Sequence, residues 1–149
     1  MPSLMPPHTP RTSQSVEDYL ERIYELINEK GYARVVDIAS SLRIAQASVT
    51  RMVQKMDEKG LVVYEKYRGL VLTPKGEQVA RAIQRRHSVL TDFFRKLGVD
   101  EATLQKDIEG IEHHLSPSTF ACLEDLVKFL TDHPKLLAEF VAFRGSAKK

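Results

Sequence analysis

A chain of 149 residues, 42% hydrophobic and 28% charged, can bury enough apolar surface to fold as one compact domain, or two small ones sharing a core, without disulfides or structural metal. Its apolar runs fall far short of the roughly 20 residues that span a bilayer, the N-terminus lacks the charged-then-apolar order of a signal peptide, and the lone Cys122 allows neither an internal disulfide nor a CxxC zinc site. The expectation is a soluble, cytoplasmic protein in a reducing compartment, with no membrane partner and with Cys122 as a small core residue. The net charge of +2 is segregated: residues 43 to 75 hold seven Lys/Arg against three Asp/Glu, and residues 100 to 139 hold three against nine. The basic half suits phosphates and the acidic half suits cations.

The first fourteen residues, with four prolines among the first ten and no apolar period, read as a disordered lead-in. Val16, Leu20, Ile23 and Ile27 then recur at helical spacing, with Ser15 as N-cap, Asp18 three positions on, and Gly31 as the stop. "VVDIASSL" and "QASVTRMVQKMDEKG" form two short helices joined by a tight turn at Arg43 to Ala45, and the β-branched runs around "KYRG" form a small hairpin. Pro74 and Gly98 bracket a helix of about six turns with Val79, Ile83, His87, Leu90, Phe94 and Leu97 on one stripe. A further helix runs from Asp100 through Leu115, Ser116 and Pro117 start another, and Pro134 starts the last. The fold class is mainly α: a winged helix-turn-helix over residues 15–74, a linking helix over 75–98, and an all-helical metal-binding and dimerisation domain over 99–149.

Ile38, Ala39, Ile44, Val49 and Met52 sit where a helix-turn-helix needs its packing residues, with a small Ala at the crossing. On the second helix the outward positions Gln46, Ser48, Thr50, Arg51, Gln54 and Lys55 are hydrogen-bonding or cationic, as reading base edges and phosphates in a major groove requires. Lys66 and Arg68 at the hairpin tip suit the adjacent backbone or minor groove, and Arg34 at the start of the helix pair completes the candidate DNA surface. A polar solvated face would show the same residues, but helix pair, hairpin and basic bias agree. Arg43 stands where many such turns place Gly, so the turn either avoids the left-handed conformation or Arg43 bears its cost, about 1 to 2 kcal/mol.

The stretch "EGIEHHLS" places Glu109, Glu112 and His113 together on the flank of a helical wheel whose apolar stripe is Leu104, Ile108, Ile111 and Leu115, with His114 turned away. His87 alone reads as a hydrogen-bonded core histidine, and Asp18 with Glu21 as a solvated face. Taken together, four carboxylates and two imidazoles make a hard oxygen and nitrogen set suited to Mn²⁺ or Fe²⁺. The spacing itself does not bring the six together.

"VEDYLERIYELINEKGYARVVDIASSL", "KYRGLVLTPKG", "RRH" and "EGIEHHLS" closely resemble the diphtheria toxin repressor family of metal-activated repressors, over about Ser15 to Pro134. The resemblance implies an N-terminal winged helix, a C-terminal helical dimerisation domain and a two-metal site between them, hence two ions per subunit. Its ligand pattern falls on Asp18, Glu21, His87, Glu109, Glu112 and His113. The iron-responsive branch carries sulfur-bearing residues where this chain has Asp18 and Glu109, so carboxylates at both places favour Mn²⁺. Gln46-Ala47 opens the second short helix where relatives often have proline, and the SH3-like third domain of the iron-dependent relatives is absent.

The reading is therefore a homodimeric, Mn²⁺-activated repressor of manganese uptake genes that binds a palindromic double-stranded operator and takes no small organic substrate. Metal would tie the DNA-reading half to the dimerisation half and narrow the spacing of the dimer's two recognition helices toward a multiple of one DNA turn, about 34 Å. The rivals are an iron-responsive repressor and a metal-independent winged-helix regulator. A di-metal carboxylate enzyme is disfavoured, because position i−3 is Gly110 for His113 and Ile111 for His114, and HExxH is absent.

Overall fold

The computed structural model describes residues 14 to 65 and 67 to 147, so the proline-rich lead-in up to residue 13 and the candidate DNA contact Lys66 lie outside the described residues. The elements are α1 (Gln14–Lys30), α2 (Val35–Leu42), α3 (Gln46–Glu58), β1 (Val62–Glu65), β2 (Gly69–Leu72), α4 (Pro74–Lys96), α5 (Glu101–Ile111), α6 (Pro117–Asp132) and α7 (Pro134–Ala147). They fall into two compact units, the first ending at Ala80 and the second starting at Arg81.

In the first unit the helical period of α1 buries Val16, Leu20 and Ile23 completely, and α1 packs on α2, α3 and β2. Ser15 lies inside the first turn of α1 rather than capping it. Ile38 and Ala39 of α2 and Val49 and Met56 of α3 are buried where the two helices meet. Arg43 does adopt the left-handed conformation, φ 56° and ψ 46°, and bears the cost of about 1 to 2 kcal/mol. The turn recovers part of it through Ile44 N, which donates to Ala39 O at 3.1 Å and satisfies a helix-end carbonyl. The Ile44 side chain is exposed instead of joining the helix contact expected of it.

β1 and β2 pair antiparallel from Val62↔Leu72 to Glu65↔Gly69. Leu70 N also donates to Ala33 O at 2.7 Å, tying the hairpin to the segment before α2. Gly69, at φ 87°, is needed there because a Cβ would lie 2.6 Å from Ala33 O. A tighter approach occurs at Gly76 in the first turn of α4, where a Cβ would lie 1.9 Å from Leu61 O. Thr73 locks this junction: its Oγ1 donates to Gly60 O at 2.6 Å and accepts from Gly76 N at 3.0 Å.

In the second unit Leu90, Leu104 and Ile108 are buried, with Phe94, Val99, Ile111, Leu115 and Leu123 packed around them. Asp100 caps α5, accepting from Thr103 N at 3.0 Å, and this bond holds its carboxyl below the usual aspartate range. Ser116 caps α6 in the same way, with Thr119 N at 3.2 Å and Pro117 at the first helical position. α5 stops at Ile111, not Leu115. Pro117 disfavours helix at the residue before it, Ser116 is extended, and the chain unwinds ahead of that cap. Cys122 is exposed on α6 rather than in the core; α6 buries Val127 and packs Leu123 against the core instead.

Replacing Gly76 by Ala forces a Cβ into backbone, whereas Gly110, in the last turn of α5, has nothing within 4 Å of its Cβ position. Gly76→Ala is expected to destabilise by about 1 to 3 kcal/mol, and Gly110→Ala to stabilise by up to about 0.5 kcal/mol. Thermal melting of the two variants checks both signs; a Gly76→Ala protein as stable as the parent would contradict the junction described here.

Candidate metal centre and DNA-reading surface

The second unit builds its polar centre around Glu112. Glu112 keeps helical dihedrals, φ −58° and ψ −29°, just past the end of α5, and its N still donates to Ile108 O at 2.9 Å, while His114 N turns to Ile111 O at 3.0 Å. This tightening of the last turn puts Glu112 inward, 4% exposed. Nδ1 of His87, on α4, lies 3.0 Å from Glu112 Oε2, and Nε2 of His113 lies 3.3 Å from Oε1. A buried carboxylate carries a penalty of several kcal/mol unless charge or hydrogen bonds compensate it, and the two imidazoles compensate both oxygens.

Arg86, which sequence reasoning passed over, completes the arrangement: its Nη1 donates to Glu112 O at 3.0 Å. A helix end leaves carbonyls without partners, and a cation is favourable there. The one hint in the sequence is the Arg-Arg-His run preceding Ser88.

Of the six candidate ligands, His87, Glu112 and His113 are thus brought together. Glu109 is exposed on the last turn of α5, and His114 is exposed as well. On α1, Asp18 is exposed and Glu21 half-buried, while the buried carboxylate of that helix is their neighbour Glu17. Among the described residues no group of three or more His, Cys, Asp and Glu side chains is arranged to hold a metal ion; Glu112 and its histidines are engaged with one another. Their chemistry nonetheless fits a dication, since the imidazole nitrogens and carboxylate oxygens that face each other are hard or borderline donors.

In the first unit, Gln46, Ser48, Thr50, Arg51, Gln54 and Lys55 of α3 are all exposed, on a helix that buries Val49 and Met56 on its other side. Thr50 Oγ1 spends its proton on Gln46 O at 3.0 Å. Arg34 is exposed at the start of α2 with its guanidinium carbon 4.8 Å from the Tyr32 ring centre, a stacking that holds a cation ready at the surface. Arg68 is exposed at the hairpin tip, its Nη1 3.7 Å from Glu65 Oε2.

A family model for the iron dependent repressor N-terminal DNA binding domain matches residues 11–70, and one for the iron dependent repressor metal binding and dimerisation domain matches residues 73–139. The HTH-type transcriptional regulator MntR of Lysinibacillus sphaericus (strain C3-41) is 50% identical over 128 residues, covering 86% of this chain and 92% of that protein. This chain belongs to the iron-dependent repressor family. As a member of that family it is a metal-dependent, DNA-binding transcriptional regulator and not an enzyme. The Bacillus pumilus (strain SAFR-032) MntR is 52% identical over 121 residues, 81% of this chain and 84% of that protein. Among solved structures, the manganese regulator SloR superposes with a TM-score of 0.67 at 28% identity over 76% of this chain. The chain spans about half, 54%, of that structure's length. No described helix of this iron-dependent repressor is long and apolar enough to cross a membrane.

The adjacent histidines provide an internal control. His113→Ala removes an imidazole packed against the buried Glu112 and is expected to weaken Mn²⁺ binding at least about tenfold, while His114→Ala, at an exposed position, leaves it within about twofold. A Mn²⁺ titration followed by electron paramagnetic resonance on both variants reads this directly, and equal affinities would refute the site.

Proposed function

We propose that this chain is a Mn²⁺-activated repressor of manganese uptake genes that binds a palindromic operator as a cytoplasmic homodimer. The observation that carries the reading is the buried Glu112 carboxylate between His87 and His113, in a chain half identical to proteins named MntR. Asp18, Glu21 and Glu109 complete a ligand set of four carboxylates and two imidazoles for two Mn²⁺ ions per subunit. An all-oxygen-and-nitrogen set suits Mn²⁺ or Fe²⁺; the resemblance favours manganese, because the iron-responsive branch carries sulfur-bearing residues where this chain has Asp18 and Glu109.

The division of labour follows the chain. Residues 15–74 read DNA through Arg34, Gln46, Ser48, Thr50, Arg51, Gln54, Lys55, Lys66 and Arg68; residues 75–98 link; residues 99–149 bind metal and dimerise. Arg51, Gln54 and Gln46 suit base edges in the major groove, whereas Lys55, Lys66 and Arg68 suit phosphates, which fix register without reading sequence. Asp18 and Glu21 precede the DNA-reading helices in the chain, and the other four ligands belong to the second unit. Ligation by all six makes the DNA-competent state depend on metal, because without it the carboxylates repel one another and with it their charge is neutralised. Bound Mn²⁺ supplies that neutralisation; the chain's own residues hold the donors and present the reading surface.

Operator binding measured with Mn²⁺, Fe²⁺, Zn²⁺ and no metal, on duplexes selected by the protein from a randomised pool, tests this reading. Mn²⁺ is expected to tighten binding by about 5- to 150-fold over no metal. Zn²⁺ is expected to bind and yet activate poorly, because its preference for four ligands leaves part of the set unused. Equal operator affinity with and without Mn²⁺ would overturn the proposal, and equal activation by Zn²⁺ and Mn²⁺ would overturn its account of selectivity.

A further inference from the structure

The end of α5 has little rigidity of its own. Gly110 stands in its last turn with nothing within 4 Å of where a Cβ would lie, and glycine gives up more backbone freedom on becoming helical than any other residue. The helix closes at Ile111, and residues 112 to 114 continue as a turn, with Glu112 N on Ile108 O at 2.9 Å and His114 N on Ile111 O at 3.0 Å. Carbonyls at such an end have no partner within the helix. Two adjacent residues of α4 reach this segment, and both reach Glu112: His87 Nδ1 lies 3.0 Å from Glu112 Oε2, and Arg86 Nη1 donates to Glu112 O at 3.0 Å.

The two contacts differ in what ligation does to them. His87 Nδ1 cannot hold a hydrogen bond to Glu112 and a cation at once, so ligation through the atoms that now face each other uses up that bond. The Arg86 bond ends on a backbone carbonyl outside the six-residue ligand set, and filling the site leaves it in place. It is also the stronger kind, since a hydrogen bond from a charged donor is about twice as strong as a neutral one, and Arg86 is half-buried, where water competes less. Arg85, one position earlier on α4, gives the contrast. Its Nε donates to Glu124 Oε1 on α6 at 2.7 Å from a side chain 64% exposed, and neither partner belongs to the ligand set.

We propose that Arg86 is the positioning residue of the metal centre: through the Glu112 carbonyl it keeps Glu112 and His113 presented to a divalent cation after His87 and Glu112 have let go of each other. The inference rests on the ligand assignment above and adds to it a residue that acts on the ligands without being one.

The test uses the full-length protein and the variants Arg86→Met, which keeps an apolar stem without charge or donor, Arg86→Lys, which keeps the charge and can still donate, and Arg85→Met. Each is measured for Mn²⁺ affinity by electron paramagnetic resonance, for amide hydrogen exchange in the metal-free protein, and for thermal melting. Arg86→Met is expected to bind Mn²⁺ about tenfold more weakly, the scale of losing a residue that orients ligands. In the same variant the amides of Glu112 and His114 should exchange faster while that of Leu104 does not. Arg86→Lys is expected to recover to within about threefold of wild type, and Arg85→Met to stay within about twofold. The sign separates a strap from a mere charge, because removing a cation from beside carboxylates would by itself tighten Mn²⁺ binding. Unchanged or tighter Mn²⁺ binding in Arg86→Met would therefore overturn the inference while leaving the ligand assignment intact. An equal loss in Arg85→Met would overturn it too, as would an Arg86→Met chain that is unfolded before metal is added. A wild-type protein that binds no Mn²⁺ takes down both this inference and the function proposed above.

Discussion

Burial of the Glu112 carboxylate is the constraint around which the second unit is organised. A carboxylate 4% exposed is costly to bury without partners, and each partner recruits a different part of the chain. His87 requires α4 to run unbroken past it, which the interval between Pro74 and Lys96 permits. His113 requires the chain to leave α5 within one residue of Glu112, which the Ser116-Pro117 cap enforces from the far side. Arg86 then holds the carbonyl of Glu112, so both the backbone and the side chain of this residue are specified. The result is a cluster of nitrogen and oxygen donors that satisfy one another and whose lone pairs are those a dication takes.

Much of this was legible in the sequence, and the reasons differ by element. The helices of the first unit show a clean apolar period, and Gly31 and Gly60 follow the ends of α1 and α3, so their order and approximate bounds follow from local chemistry. The pairing of Glu112 with His87 could not be read that way, because twenty-five residues separate them and spacing along a chain says nothing about which helices touch. The helical wheel set His113 apart from His114 on the assumption of a regular helix to Leu115, whereas the helix ends at Ile111; His113 lies against Glu112 and His114 is exposed. The distinction survives because Glu112 retains helical dihedrals for one residue more. Arg43 is instructive in the opposite sense: sequence left two options, and the structure takes the strained one because the Ile44 N to Ala39 O bond needs a left-handed residue between them.

The misplacement of Cys122 has a related cause. A lone cysteine in a helix is most often buried, yet α6 and α7 leave Cys122, Leu126, Phe129, Phe140, Val141 and Phe143 at the surface. Exposed apolar faces are the kind of surface that interaction sites use, and the family model for this domain is one of metal binding and dimerisation. A residue's neighbours in a single chain then cannot explain its apolar character, and composition alone cannot separate a core from an interface.

In the proposed repressor, metal binding and operator binding are two readouts of one equilibrium. Thermodynamic linkage makes this testable from the metal's side: if Mn²⁺ tightens the protein's grip on operator, operator must tighten its grip on Mn²⁺ by the same factor. Mn²⁺ affinity should therefore be measured by electron paramagnetic resonance with and without saturating operator duplex, at one fixed ionic strength. An increase of about 5- to 150-fold is expected with duplex present, equal to the gain in operator affinity produced by Mn²⁺. A Mn²⁺ affinity that is the same with and without operator would contradict it.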